Sequence, residues 1–136
     1  QANSVSDQII CLTDVISSVA SILGISNETG AMEDSYDISP ILLGKNEPVR
    51  ESIVHHSIDA TFAIRKGDWK LIQGKNSGGF SKSLKIEGIP VDTEGQLYNI
   101  SNDPSEQANL YADNPEKVKE LAELLNQYQS KRTSKL

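Results

Sequence analysis

Ile53-Val54-His55-His56-Ser57-Ile58-Asp59-Ala60-Thr61-Phe62-Ala63-Ile64-Arg65-Lys66-Gly67-Asp68-Trp69-Lys70-Leu71-Ile72 is the stretch that decides how this 136-residue chain folds. Three short runs in it, 53–56, 61–65 and 69–72, are rich in β-branched and aromatic residues, which suit a pleated, half-buried surface. Lys66-Gly67-Asp68 separates the last two by the length of a tight turn, so they read as an antiparallel hairpin. Downstream, Gly74 to Gly79 opens an irregular excursion to about Thr93, after which Gln96-Leu97-Tyr98-Asn99-Ile100 resumes a strand and Asp103-Pro104 marks a turn. Because Phe62, Trp69, Leu97 and Tyr98 alternate with polar residues on these strands, they are expected in the core.

Helical signals flank the strands. Asn114 as cap, Pro115 at the first position and Glu116 at the positive end begin a helix of about four turns. Val118, Leu121, Leu124, Leu125 and Tyr128 form its apolar stripe, and the basic, polar tail from Ser130 to Leu136 is expected to fray. Near the other end, Val15, Ile16, Val19, Ala20, Ile22 and Leu23 recur with helical spacing. Thr13 or Asp14 is available as cap there, and Gly24 as stop. Ile9, Ile10 and Leu12 read as a short buried extended segment leading into that helix. Ser39-Pro40 followed by Ile41-Leu42-Leu43-Gly44 fits one helical turn, with Ser39 as its cap. The expected class is therefore α+β, a small antiparallel sheet with a C-terminal amphipathic helix packed on one face. The expected division is an N-terminal arm and helix over 1–48 and the sheet-and-helix subdomain over 49–136.

Charge and composition narrow the function. A formal net charge of −6 argues against a general binder of nucleic acid or acidic membrane. No apolar run approaches the roughly 18 residues that cross a bilayer. Within this acidic chain, Arg65, Lys66, Lys70, Lys75, Lys82 and Lys85 face only Asp68, a local excess of five positive charges. Cys11 is the only cysteine, so no internal disulfide can form. The chain begins without Met or a signal-peptide pattern, from which an upstream targeting segment is expected.

A self-contained hydrolase would need a nucleophile with a base, or a cluster of metal ligands. His55 and His56 are the only histidines, and adjacent residues on a strand point to opposite faces. Cys11 has no nearby histidine, and no GxSxG, HExxH, P-loop or GxGxxG pattern occurs. No complete catalytic constellation and no metal-ligand set can be drawn from these residues.

The stretch 53–72 nonetheless resembles the C-terminal region of formylglycine-dependent sulfatases, of the arylsulfatase family in the alkaline-phosphatase-like superfamily. Gly74 to Gly79 is similar to a Gly-Ser-Gly-Gly loop found in one arylsulfatase group. Gln96-Leu97-Tyr98-Asn99-Ile100, Asn102-Asp103-Pro104-Ser105-Glu106 and Asn109-Leu110 resemble the family's Leu-Tyr-Asp-Leu, Asp-Pro-x-Glu and Asn-Leu elements. Asn114-Pro115-Glu116 opens its last helix, and Leu12-Thr13-Asp14-Val15-Ile16-Ser17-Ser18-Val19 resembles an upstream Asp-Leu-x-Pro-Thr-Leu segment. Asp34-Ser35 and Ile41-Leu42-Leu43-Gly44 also have counterparts. Ser17 stands where Pro is usual, Ala60 where Gly is common, and Lys131-Arg132-Thr133-Ser134 matches only loosely.

The resemblance implies the C-terminal subdomain of an α/β sulfatase, whose parent enzyme hydrolyses sulfate esters with calcium and a formylglycine made within Cys/Ser-x-Pro-x-Arg. Cys11 is not that precursor, since Thr13 and Val15 occupy the Pro and Arg positions. The implied catalytic and metal residues lie upstream, so this chain alone is expected to be inactive, with no cofactor of its own. Its implied partners are the N-terminal sulfatase domain and a sulfated small molecule or carbohydrate. Self-association of the chain alone is expected through the uncovered stripe Ile9, Leu12, Ile16, Val19 and Leu23. Substrate-rim candidates are His55, His56, Lys75 and Lys82. The resemblance also implies a periplasmic or secreted protein. The alternative is a non-catalytic binding or interaction module of the same subdomain fold.

Overall fold

A computed structural model of the chain describes residues 5–26, 30–75 and 94–131. The elements run α1 (Asp14–Leu23), α2 (Ser39–Leu42), β1 (Ser52–His56), β2 (Phe62–Lys66), β3 (Trp69–Ile72), β4 (Gln96–Asn99) and α3 (Pro115–Lys131). The chain divides into two compact units, one running to Ile53 and the other starting at Val54.

The strands form one sheet in the order β1-β2-β3-β4, with β2 antiparallel to β3 and β3 antiparallel to β4. Lys66 pairs with Trp69, leaving Gly67 and Asp68 as the turn, and Gly67 takes the left-handed φ of 55° that such a turn demands. Ile64, Leu71 and Leu97 stand opposite one another on one sheet face and are almost fully buried. Leu121, Leu125 and Tyr128 of α3 complete this core, with Val54, Phe62, Trp69, Leu110, Val118 and Leu124 packed around it. This is the α+β arrangement expected, with the apolar stripe of α3 turned onto the sheet. Asn114 begins the helix through its backbone carbonyl, which accepts the Val118 N–H at 3.0 Å. Its side chain instead donates to the Leu110 carbonyl.

The edge of β4 is closed by the Asn109-Leu110 pair. Asn109 Oδ1 accepts the Leu97 N–H at 2.9 Å, and the Leu110 N–H donates to the Leu97 carbonyl at 2.8 Å. An edge strand thereby satisfies groups that would otherwise invite pairing with another chain. Gly95 sits where nothing larger fits: a Cβ there would stand 2.7 Å from Tyr111 Cε2 and 2.8 Å from the Ile72 carbonyl oxygen. The turn after β1 is drawn together by hydrogen bonds from the Ser57 hydroxyl and the Thr61 N–H to Asp59. It forces Ala60 to a left-handed φ of 63°. That is the position where the resembled family commonly has Gly.

In the first unit, α1 has the expected bounds, and Gly24 ends it with φ 67° while its N–H reaches back to the Ala20 and Ser21 carbonyls. Two expectations need correction and one is met only in part. Ile10 and Leu12 are not buried and lie in no strand: they are 51% and 89% exposed, because no described neighbouring strand or helix covers them. Thr13 does take the cap position before α1, but without a side-chain capping bond. Ser39 lies inside α2 rather than capping it, and the Asp37 carboxylate accepts the Ser39 N–H at 2.8 Å.

Helix α1 is inside-out. Its buried residues are Asp14, Ser18 and Ala20, whereas Val15, Ile16, Val19, Ile22 and Leu23 are 48% to 65% exposed. The buried side is a polar lattice. Asp14, fully buried, accepts the Cys11 N–H at 2.7 Å and the Tyr36 N–H at 3.0 Å and pairs with Arg50. The Arg50 guanidinium lies 4.3 Å over the Tyr36 ring. Ser18 Oγ donates to the Asp14 carbonyl and accepts the Ile38 N–H. Such a network is stable only when nearly every member is satisfied, and the described part leaves one side-chain atom, Arg50 Nε, without a partner.

Candidate functional site

Strand alternation separates the two histidines. Val54 joins the core side, and two residues on, the His56 ring lies 5.6 Å from the Phe62 ring at 55°. His56 Nδ1 is 2.9 Å from the Ser57 carbonyl, so this ring is engaged by its own turn. His55 takes the opposite face, near Lys70 and Glu106. Partial burial pushes its pKa down from the ordinary histidine value, the Lys70 ammonium adds to this, and the Glu106 carboxylate opposes it.

The face bearing His55 also presents Arg65, Lys70 and Tyr98, which pair across β2, β3 and β4. Lys70 Nζ reaches Glu106 Oε1 at 2.6 Å, and Glu106 itself sits at a left-handed φ of 54°. Its loop is built around Asp103, whose carbonyl accepts the Glu106 N–H and whose carboxylate accepts the Ala108 N–H. The Asp-Pro-x-Glu element thus folds back onto the sheet and neutralises one of its lysines.

That pairing reduces the local positive excess. Besides Lys70, Lys66 reaches Glu120 at 3.4 Å, and Arg65 Nε donates to the Gly67 carbonyl. Two of the basic charges therefore face carboxylates that lie far off in sequence, outside the stretch 65–85. Lys75 is exposed and makes no ion pair among the described residues. Lys82 and Lys85 lie outside the described residues. Of the rim candidates, the structure thus places His55 on the polar sheet face, His56 on the other, and Lys75 three residues past the end of β3.

Sequence reasoning passed over one buried feature beside Lys75. Gln96 is 1% exposed, its Nε2 donating to the Gly74 carbonyl at 2.7 Å while its Oε1 accepts the Tyr98 hydroxyl at 2.8 Å. A glutamine opening a strand carries no signal of burial by itself. The hint available was Tyr98, because a buried tyrosine hydroxyl requires a polar partner. Burial raises the Tyr98 pKa, helped by the Glu106 and Asp103 carboxylates.

Among the described residues, no group of three or more His, Cys, Asp or Glu side chains is placed to hold a metal ion. No described helix is long and apolar enough to cross a membrane. Cys11 is a free thiol whose pKa is lowered, chiefly by a hydrogen bond with Thr13.

No family model matches the chain. It is 38% identical over 112 residues to an N-acetylgalactosamine-6-O-sulfatase of Bacteroides thetaiotaomicron, a match covering 82% of this chain and 22% of that protein. A solved sulfatase described with the metabolism of multiple glycosaminoglycans by the same organism superposes with a TM-score of 0.64 at 34% identity, over 86% of this chain and 24% of that one. A protein solved in complex with its substrate D-glucosamine-2-N,6-O-disulfate shares the fold, with a TM-score of 0.66 at 22% identity, over 96% and 26% of the two chains. The chain spans about a quarter of the length of the relatives it matches. In sequence and in fold, it fits the C-terminal region of a sulfatase.

Proposed function

We propose that the whole protein is a sulfuric ester hydrolase acting on a 6-O-sulfated amino sugar, and that this chain supports its fold and forms part of the substrate-pocket rim. The 38% identity to an N-acetylgalactosamine-6-O-sulfatase carries this reading. In the reaction, water and a sulfate ester give the free sugar hydroxyl and inorganic sulfate. Calcium and formylglycine, which the family resemblance implies, would belong to the part of such an enzyme beyond these residues. The contribution of this region is recognition. His55, whose pKa is lowered by desolvation and by the Lys70 charge, is suited to hydrogen-bond a sugar hydroxyl or sulfate oxygen. Lys75, exposed and without an ion pair among the described residues, is suited to meet a sulfate.

The exposed apolar side of α1 supports a second part of the proposal, that the N-terminal sulfatase domain covers it. Without that domain, a second copy of the chain would do so. We further propose a periplasmic or secreted location, on the family resemblance alone. Sulfate release from N-acetylgalactosamine 6-sulfate by the whole protein is the test. Turnover by the whole protein and none by residues 1–136 alone is expected; turnover by residues 1–136 alone, lost on His55→Ala, would overturn the division of labour. No turnover of any 6-O-sulfated amino sugar by the whole protein would overturn the substrate reading.

A further inference from the structure

Lys70 and Glu106 meet on the sheet face that carries His55. Lys70 Nζ donates to Glu106 Oε1 at 2.6 Å, and the two side chains are 19% and 31% exposed, so the pair is part-buried yet open to a ligand. An ammonium has three donors and a carboxylate several acceptor sites, so their mutual bond leaves a donor and an acceptor side by side. Neighbouring ring hydroxyls of a sugar each donate one hydrogen bond and accept another, which is the combination this pair offers. Charge decides which end of a sulfated sugar such a pair takes. A lone ammonium would favour the sulfate, but the pair has no net charge and its carboxylate repels an anion.

The backbone supplies an independent observation. Glu106 stands at φ 54°, one of two non-glycine residues in the left-handed region among the described residues. Glycine would suit that turn without strain, and the turn is already held by Asp103, which accepts the Glu106 and Ala108 N–H groups. What a glutamate adds there is its carboxylate, and backbone strain of this kind gathers at ligand-binding positions.

We propose that the Lys70–Glu106 pair, beside His55, is a specificity-determining site that binds the neutral ring hydroxyls of the sugar rather than its sulfate. This rests on the reading above that the His55 face lies at the substrate rim.

The test uses the whole sulfatase turning over N-acetylgalactosamine 6-sulfate, with unsulfated N-acetylgalactosamine and inorganic sulfate as separate inhibitors. Glu106→Gln keeps the shape of the side chain and removes its charge. Its inhibition constant for the unsulfated sugar should rise about tenfold, the effect of losing a hydrogen bond to a charged group. Its constant for sulfate should stay the same or fall by up to about threefold, because Lys70 is no longer neutralised. Lys70→Met should weaken the sugar by a similar factor and weaken sulfate as well, since the carboxylate is left uncompensated. The two variants thus agree on the sugar and part on the sulfate. Glu106→Gly, which relieves the left-handed φ, should repeat the Glu106→Gln pattern and keeps the test decisive if Glu106→Gln folds poorly. If Glu106→Gln and Glu106→Gly weaken sugar and sulfate together, with a lower unfolding midpoint, the pair is structural and the proposal falls. An unchanged sugar constant, or a wild type that the unsulfated sugar does not inhibit, overturns the proposal and leaves the sulfatase reading intact. No turnover of any 6-O-sulfated amino sugar by the wild type overturns the substrate reading, and this proposal with it.

Discussion

Helices α1 and α3 carry apolar residues at similar spacing, yet they bury opposite sides. In α3, Leu121, Leu125 and Tyr128 turn inward onto the sheet. In α1, Asp14 and Ser18 turn inward while Val15, Ile16, Val19, Ile22 and Leu23 face outward. Periodicity reports that a helix has an apolar face; it does not report whether the partner for that face lies in the same chain. What holds α1 in place is a set of hydrogen bonds and one ion pair.

The difference can be broken by substitution, and the largest effect is expected at the centre of the polar lattice. Asp14→Ala leaves the Arg50 guanidinium buried and unpaired and should cost about 3–5 kcal/mol in urea unfolding of the first unit. On the α3 side, Leu121→Ala or Leu125→Ala removes fully buried methyl groups and should cost about 2–5 kcal/mol. Leu124, expected to be equivalent from its place in the stripe, is only partly buried, so truncating it should cost less. Gly95→Ala, forced against Tyr111 and the Ile72 carbonyl, should cost about 1–3 kcal/mol.

Two smaller effects sharpen the picture of the sheet. Ala60→Gly should stabilise by about 0.5–1 kcal/mol, since it relieves a left-handed φ at the cost of some unfolded-state entropy. His55 sets a pH dependence. Its folded pKa is depressed, so between that value and the unfolded value of about 6.5 the unfolded chain binds more protons. Stability should therefore fall as pH drops below about 6.5, and His55→Asn should flatten that slope when midpoints are compared across pH.

Local chemistry made much of the fold legible. Gly24 and Pro115 marked helix ends, and Lys66-Gly67-Asp68 marked the hairpin, because each has a conformational requirement that its own residue meets. Burial by distant partners left no such mark. Asp14 and Arg50 are 36 residues apart, Lys70 and Glu106 likewise 36, and Lys66 and Glu120 54, so neither the polar lattice nor the neutralised lysines could be read from neighbours. Of the site, alternation foretold that His55 and His56 would part to opposite faces. The Gln96–Tyr98 hydrogen bond leaves no mark in the sequence, since Gln96 resembles an ordinary strand-opening glutamine and Tyr98 plain core.

Ile16→Asp tests the central claim, that the outer face of α1 is a docking face of a sulfatase region, most directly when unfolding midpoints are measured in both the isolated chain and the whole protein. The isolated monomer at low concentration should change by no more than about 0.5 kcal/mol, as an exposed substitution does, while the whole protein should lose several kcal/mol by burying a charge against its catalytic domain. An equal loss in both, or no loss in the whole protein, would contradict the account.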